Sequence, residues 1–136
     1  MMRVVLDTNV IVSALLVPSG TQAAVLLLAL EGRVALYVSP AMLTEYAEVL
    51  RRPRFKFQPR QVETALADIR KIAHLIEPTR VVSVSADESD NRFLECAEAA
   101  DADYLVTGNT RDFPQTHKRT KIVTGRRFLD MVAESD

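Results

Sequence analysis

The chain holds only one cysteine, Cys96, in 136 residues. A lone thiol excludes a disulfide framework and any zinc site built on cysteine, and it fits a reducing compartment. Net charge is also nearly absent: 17 Lys and Arg against 18 Asp and Glu give −1. No global basic field therefore advertises a nucleic acid, and such a partner would need a local patch. Long apolar runs are missing too. The stretch Ala23 to Leu30 falls well short of the roughly 20 residues a bilayer span requires. The opening Met1-Met2-Arg3, followed by Val4-Val5-Leu6-Asp7, becomes charged too soon for a secretory signal. These absences lead us to expect a cytoplasmic protein with no membrane segment. No repeat, low-complexity tract or linker divides the chain, so a single domain over residues 1–136 is expected.

Apolar residues make up 48% of the chain and charged residues 26%. That mix belongs to a globular domain, and the length is enough to bury a core without staples. Short β-branched runs at 3–6, 34–38, 81–84, 104–106 and 121–123 read as strands. Helical patterns fill 9–16, 20–31, 40–52, 59–76, 90–100 and 125–134. Alternation of this kind, with strands apolar almost throughout, predicts an α/β fold. The expected form is a three-layer α/β/α sandwich around a mostly parallel sheet of four to five strands. Ser39-Pro40 reads as a cap with proline at the first helical position, and Gly32 closes the preceding helix.

Several carboxylates fall where such a sheet binds ligands, beyond the carboxyl ends of its strands. Asp7 ends the first strand, and Thr8-Asn9 lead directly into a helix. A cation ligand and an ordinary helix cap explain Asp7 equally well. Glu45 borders the apolar stripe of its helix beside Val49, whereas Glu48 points away and is spaced to pair with Arg52. In Asp87-Glu88-Ser89-Asp90-Asn91, either Ser89 or Asp90 can cap the helix that follows. If Ser89 does, Asp90 is free to face the crevice. Asp87 and Glu88 read as loop charges, and Glu95 and Glu98 as a solvated face. The fourth strand delivers Thr107-Gly108-Asn109 and then Asp112, which either faces the crevice or sits in a surface turn. Carboxylates gathered in one place repel unless a cation neutralises them, and an all-oxygen set suits Mg²⁺ or Mn²⁺. His74 (read as helical) and His117 (in a basic loop) have no ligand partner at a suggestive spacing.

Taken in order, Val4 to Val10, Leu43-Thr44-Glu45-Tyr46, Asp87 to Asn91 with Phe93-Leu94, and Val106 to Asn109 with Asp112-Phe113 resemble the PIN-domain family. The subgroup most resembled is the VapC-like toxins of prokaryotic toxin–antitoxin modules. The resemblance runs from Arg3 to about Val132. It implies that Asp7, Glu45 and Asp90 form an acidic triad for Mg²⁺ or Mn²⁺. Asp112 would take the fourth position, supported by Asn109 or Thr107, with Asn9 as a further polar neighbour. It also implies a metal-dependent endoribonuclease acting on single-stranded or structured RNA. A small antitoxin partner and a homodimer would accompany it.

Two basic clusters suit an RNA substrate. Arg51, Arg52, Arg54, Lys56 and Arg60 interleave with Phe55 and Phe57. Lys118, Arg119, Lys121, Arg126 and Arg127 form the second. The alternative for both is a solubilising face or a grip on an acidic antitoxin segment, and for the first cluster that alternative and RNA binding weigh equally. Two rival readings stand beside the nuclease. One is a phosphatase using Asp7 as nucleophile, although such enzymes want an aspartate where Asn9 stands. The other is a PIN-like module that binds RNA or protein with its site decayed.

Overall fold

Val4, Val5 and Leu6 have no solvent exposure, and neither do Leu105 and Val106. Strands of this kind, apolar on both faces, can only lie in the middle of a covered sheet. The computed structural model, which describes residues 1–135, places them there. The strands are β1 (Arg3–Leu6), β2 (Ala35–Val38), β3 (His74–Leu75), β4 (Tyr104–Val106), β5 (Thr116–His117) and β6 (Thr120–Val123). The helices are α1 (Thr8–Leu16), α2 (Thr21–Leu30), α3 (Pro40–Leu50), α4 (Pro59–Ile72), α5 (Glu88–Ala100) and α6 (Gly125–Ser135).

The sheet runs in the order β3-β2-β1-β4-β6-β5, parallel throughout except for the β5–β6 hairpin. Strand order therefore reverses direction between β1 and β4. Right-handed crossovers then put the α1–α2 and α3–α4 connections on one face and α5 on the other. Consistent with this, α5 packs on β1, β2 and β4, while α1, α2, α4 and α6 pack among themselves. The crevice beyond the carboxyl ends of β1 and β4 is the place where this class of sheet binds ligands.

Three sequence expectations require correction. The helix expected over 59–76 ends at Ile72, and His74–Leu75 instead pairs in parallel with Tyr37 and Val38 of β2. Ala73 and Ile76 continue the apolar period, but Pro78 biases the segment before it toward extended backbone. His74 is thus an edge-strand residue stacked on Tyr37 at 4.9 Å, not a helical one. Second, residues 81–84 are no strand. The amide of Val82 donates to the Glu95 carboxylate, and those of Val84 and Ser85 donate to Asn91 Oδ1, so α5 side chains replace a neighbouring strand. Third, the sheet has six strands rather than four or five, because β3 and β5 are two-residue edges too short to show a pattern.

Glu95 is accordingly not part of a solvated face. It is buried at 8% exposure, and it also accepts from Arg92 at 2.7 Å. Glu98 is half-buried and faces Arg80, His117 and Lys118. Among the described residues, no single helix is long and apolar enough to cross a membrane.

Candidate active site

The β1–β4 register aligns Leu6 with Val106, and one step further sets Asp7 beside Thr107. Asp7 is 7% exposed, and its carboxylate is almost fully engaged. Oδ1 accepts from the Thr8 amide at 2.8 Å, and Oδ2 accepts from Thr107 Oγ1 at 2.7 Å and Asn9 Nδ2 at 3.1 Å. Asn9 Oδ1 in turn accepts from the Gly108 amide at 2.9 Å, closing the β1 and β4 ends into one unit. Asp7 is therefore both a helix cap and a floor residue of the crevice, and the two readings left open by the sequence are not exclusive.

Glu45 reaches the same place because α3 crosses the end of β1. Tyr46 is wholly buried, its hydroxyl donates to the carbonyl of Leu6, and its ring stacks near Phe93 of α5. That anchor carries the neighbouring Glu45 to the crevice rim. The cap of α3 is Ser39, which accepts from the Met42 amide, with Pro40 first in the helix as expected.

Asp90 arrives by a different route from the one the sequence suggested. The helix begins two residues earlier than expected, and Asp87, read as a loop charge, is its cap, accepting from the Ser89 amide and hydroxyl. Asp90 is left inside the first turn, 8% exposed, and among the described residues its carboxylate accepts only a long 3.5 Å bond from Ser85 Oγ. Asp112 stands exposed on the cleft lining, in a short 3₁₀ turn spanning Thr110–Asp112, where Asn109 Nδ2 donates to its carboxylate at 2.8 Å. Asn109 thus supports Asp112, and its amide donates to the Thr107 hydroxyl.

Asp7, Glu45, Asp90 and Asp112 line one cleft of about 250 Å³, with Arg54 and Phe55 on its wall. The electrostatics follow from this grouping. Burial raises Asp7 above the ordinary carboxylate range, the hydrogen bonds from Thr107 and Thr8 oppose the rise, and the charges of Asp112 and Glu45 add to it. Asp90 is pushed up to about 7 by burial first and then by the charges of Asp7, Asp87 and Asp112. Two carboxyls held reluctantly ionised mark a negative bowl short of positive charge. Among the described residues, no three His, Cys, Asp or Glu side chains are gathered tightly enough to hold one ion. The chemistry of the donor set nevertheless fits a hard divalent cation: every candidate is a carboxylate, and cleft-lining Thr8 keeps a buried Oγ1 without a partner. The site does not favour Asp7 as a phosphatase nucleophile, because the position two residues on holds Asn9, whose amide is engaged with Asp7 and Gly108 and supplies no second carboxyl.

Sequence reasoning missed Ser85 and Asn91. Asn91 has no exposure and uses its whole amide: it accepts from Val84 and Ser85 and donates to the Ser85 carbonyl and Glu88. This fixes Ser85, whose hydroxyl reaches both Asp90 and the Asp112 carbonyl, the latter at 3.2 Å. A polar residue one position after Asp90 was the available signal, but the strap it clamps has no pattern of its own.

The two basic clusters separate in space. Arg54 lies over the Phe55 ring at 4.8 Å on the cleft wall, whereas Arg51, Arg52 and Lys56 are exposed without lining the cleft. Lys118 and Arg119 do not join the site. They form the β5–β6 turn at the amino-terminal edge of the sheet, where Arg119 pairs with Asp103 at 2.6 Å and Lys118 with Glu98 at 3.8 Å.

A mostly parallel α/β fold with acidic side chains at its strand-reversal crevice places the chain among the α/β proteins whose ligands meet that edge of the sheet, and comparison with known proteins narrows the class. A PIN-domain family model matches residues 3–111. The chain is 30% identical over 110 residues to the uncharacterized protein MJ1680 of Methanocaldococcus jannaschii, covering 79% of this chain and 70% of that one. In fold it is similar to a chain of VapBC2 from Rickettsia felis, in a crystal structure bound to a DNA fragment from their promoter. That match has a TM-score of 0.62 and 17% identity, over 90% of this chain and 98% of the other. PAE2754 from Pyrobaculum aerophilum matches with a TM-score of 0.61 and 16% identity, over 98% and 90%. The chain belongs to the PIN-domain family. Members of this family are generally nucleases, and they typically use a divalent metal.

Proposed function

We propose that this protein is a divalent-metal-dependent endoribonuclease that cleaves single-stranded RNA, and the toxin of a toxin–antitoxin pair. The observation that carries this reading is the meeting of Asp7, Glu45, Asp90 and Asp112 in one cleft, with Asp7 and Asp90 both resisting ionisation. These four are the residues that would hold Mg²⁺ or Mn²⁺. The ion supplies Lewis-acid polarisation of a phosphodiester and neutralises charge that develops during displacement. The chain's own part is positioning. Thr107 and Asn9 fix the direction of Asp7, and the hydrogen bond from Thr107 opposes the rise that burial imposes on its pKa. Arg54, its guanidinium seated on the Phe55 ring, offers a cation to a strand entering the cleft, with Arg51, Arg52 and Lys56 extending the basic rim in sequence.

The likeness in fold to a chain of VapBC2 supports an antitoxin partner, and a homodimer in a cytoplasmic setting completes the proposal. The test is cleavage of a single-stranded RNA with Mn²⁺ by the wild type, Asp7→Asn and Asp90→Asn. The reading requires activity in the first and loss of at least about 100-fold in the others, as for a displaced catalytic charge. Equal activity in all three would assign the cleavage to a contaminant. A second reading, a PIN-like module that binds RNA or protein without cleaving, draws on the fourth acidic position, where Asn109 brings an amide rather than a charge and Asp112 stands exposed. Mn²⁺ binding separates the two, since a decayed site would not take the ion.

A further inference from the structure

Beside the Asp112 turn lies a second and larger concavity, about 570 Å³, between the β5–β6 hairpin and the start of α6. Its lining carries Arg111, Lys121 and Arg127 together with Pro114 and Ile122, and among the described residues no carboxylate lines it. The three cations come from separate stretches of chain and are all exposed. None of them makes an ion pair among the described residues. That sets them apart from Lys118, Arg119, Arg80 and Arg92, each of which sits against a carboxylate. Three like charges brought to one groove with nothing to balance them repel each other, and the arrangement persists most readily if an anion answers them.

We propose that this groove is a phosphate track that holds the RNA strand on the Asp112 side of the cleft. The proposal rests on the nuclease reading and extends it. Three observations select a nucleic-acid backbone over an acidic peptide. The groove abuts the cleft without a break in sequence, because Arg111 and Asp112 are consecutive. A strand leaving a bowl of carboxylates needs its phosphates neutralised immediately outside it, and Arg111, next to cleft-lining Asp112 in the chain, lines the groove. Within the cleft Arg54, seated on the Phe55 ring, already supplies one cation, and the groove would continue that positive charge outside it. The apolar part of the lining leaves room for sugars and bases without demanding a particular base, which is backbone rather than sequence recognition.

The test is binding of a fluorescein-labelled 12-nucleotide oligouridylate in EDTA, where cleavage does not interfere. It compares the wild type, the triple variant Arg111→Gln/Lys121→Gln/Arg127→Gln, and the control Lys118→Gln/Arg119→Gln. The triple variant is expected to bind at least about 10-fold more weakly, with a salt slope shallower by about 2, at roughly 0.7 per lost phosphate contact on a single strand. The control should match the wild type, and circular dichroism should show all three folded. An unchanged affinity in the triple variant, or an equal loss in the control, would overturn the proposal. So would a triple variant that keeps its RNA affinity while losing affinity for an oligoglutamate peptide. Binding needs no catalysis, so a wild type that binds through this groove but never cleaves would sink the nuclease reading while leaving the track intact.

Discussion

Replacing Asp90 with Asn should make the metal-free protein more stable while disabling it. The side chain is 8% exposed, and the neighbouring charges of Asp7, Asp87 and Asp112 together with burial lift it from 3.8 to about 7. At about 1.4 kcal/mol per pKa unit, the full shift would correspond to about 4 kcal/mol. Screening by solvent at the open cleft, and the favourable field of the α5 amino terminus that an anion enjoys, reduce this to about 1–2 kcal/mol. The sign follows from linkage. A carboxyl whose folded pKa is raised binds its proton more tightly in the fold than in the unfolded chain, so ionisation weakens the fold. The deficit is complete above about pH 7, shrinks as pH falls toward about 4, and vanishes below the unfolded value. Asp90→Asn should therefore exceed wild type in EDTA at pH 8 by about 1–2 kcal/mol, or about 3–8 °C in Tm, and match it near pH 4. Adding Mn²⁺ should raise the wild-type Tm more than that of the variant, because only the wild type keeps the full donor set. Urea and thermal denaturation read all of this. A variant less stable than wild type at pH 8, or a difference that does not change with pH, would refute the reasoning.

Other perturbations have expected outcomes of their own. Asn91→Ala removes four hydrogen bonds and strands the amides of Val84 and Ser85, so unfolding in urea should show a loss of about 2–4 kcal/mol. Hydrogen exchange at those two amides should accelerate first, which a uniform destabilisation would not reproduce. Thr107→Val removes a donor that holds Asp7 ionised, so the Asp7 pKa should rise and the acid limb of the pH–activity profile should move to higher pH. An unshifted limb would show that Asp7 does not set it. Tyr46→Phe leaves the Leu6 carbonyl unanswered in the core and should cost about 1–3 kcal/mol, measurable as a lower urea midpoint with an unchanged m-value.

The sequence disclosed the parts of this fold that repeat and concealed those that occur once. β1 and β4 were legible because Val4-Val5-Leu6 and Tyr104-Leu105-Val106 are apolar enough to be central, and α3 because Ser39-Pro40 announces its start. The edge strands were not, since two residues of β3 or β5 carry no period. Asp7 and Glu45 could be placed because a strand end and a helix stripe fix where a side chain points. The strap through 82–85 could not, because its amides are answered by Asn91 and Glu95 from α5, a tertiary match with no local trace. The same limit explains why Lys118 and Arg119 looked equivalent to Lys121 and Arg127. Adjacent in sequence, they are divided by a hairpin that turns the first pair onto Asp103 and Glu98 and leaves the second pair free.

The most direct measurement is a calorimetric titration of the metal-free protein with Mn²⁺ at pH 8, set beside the Asp7→Asn/Asp90→Asn double variant. Saturable binding by the wild type, and its loss in a double variant that remains folded, is the predicted result. Identical heats from both proteins, or none from the wild type, would contradict the claim that these carboxylates make one cation site.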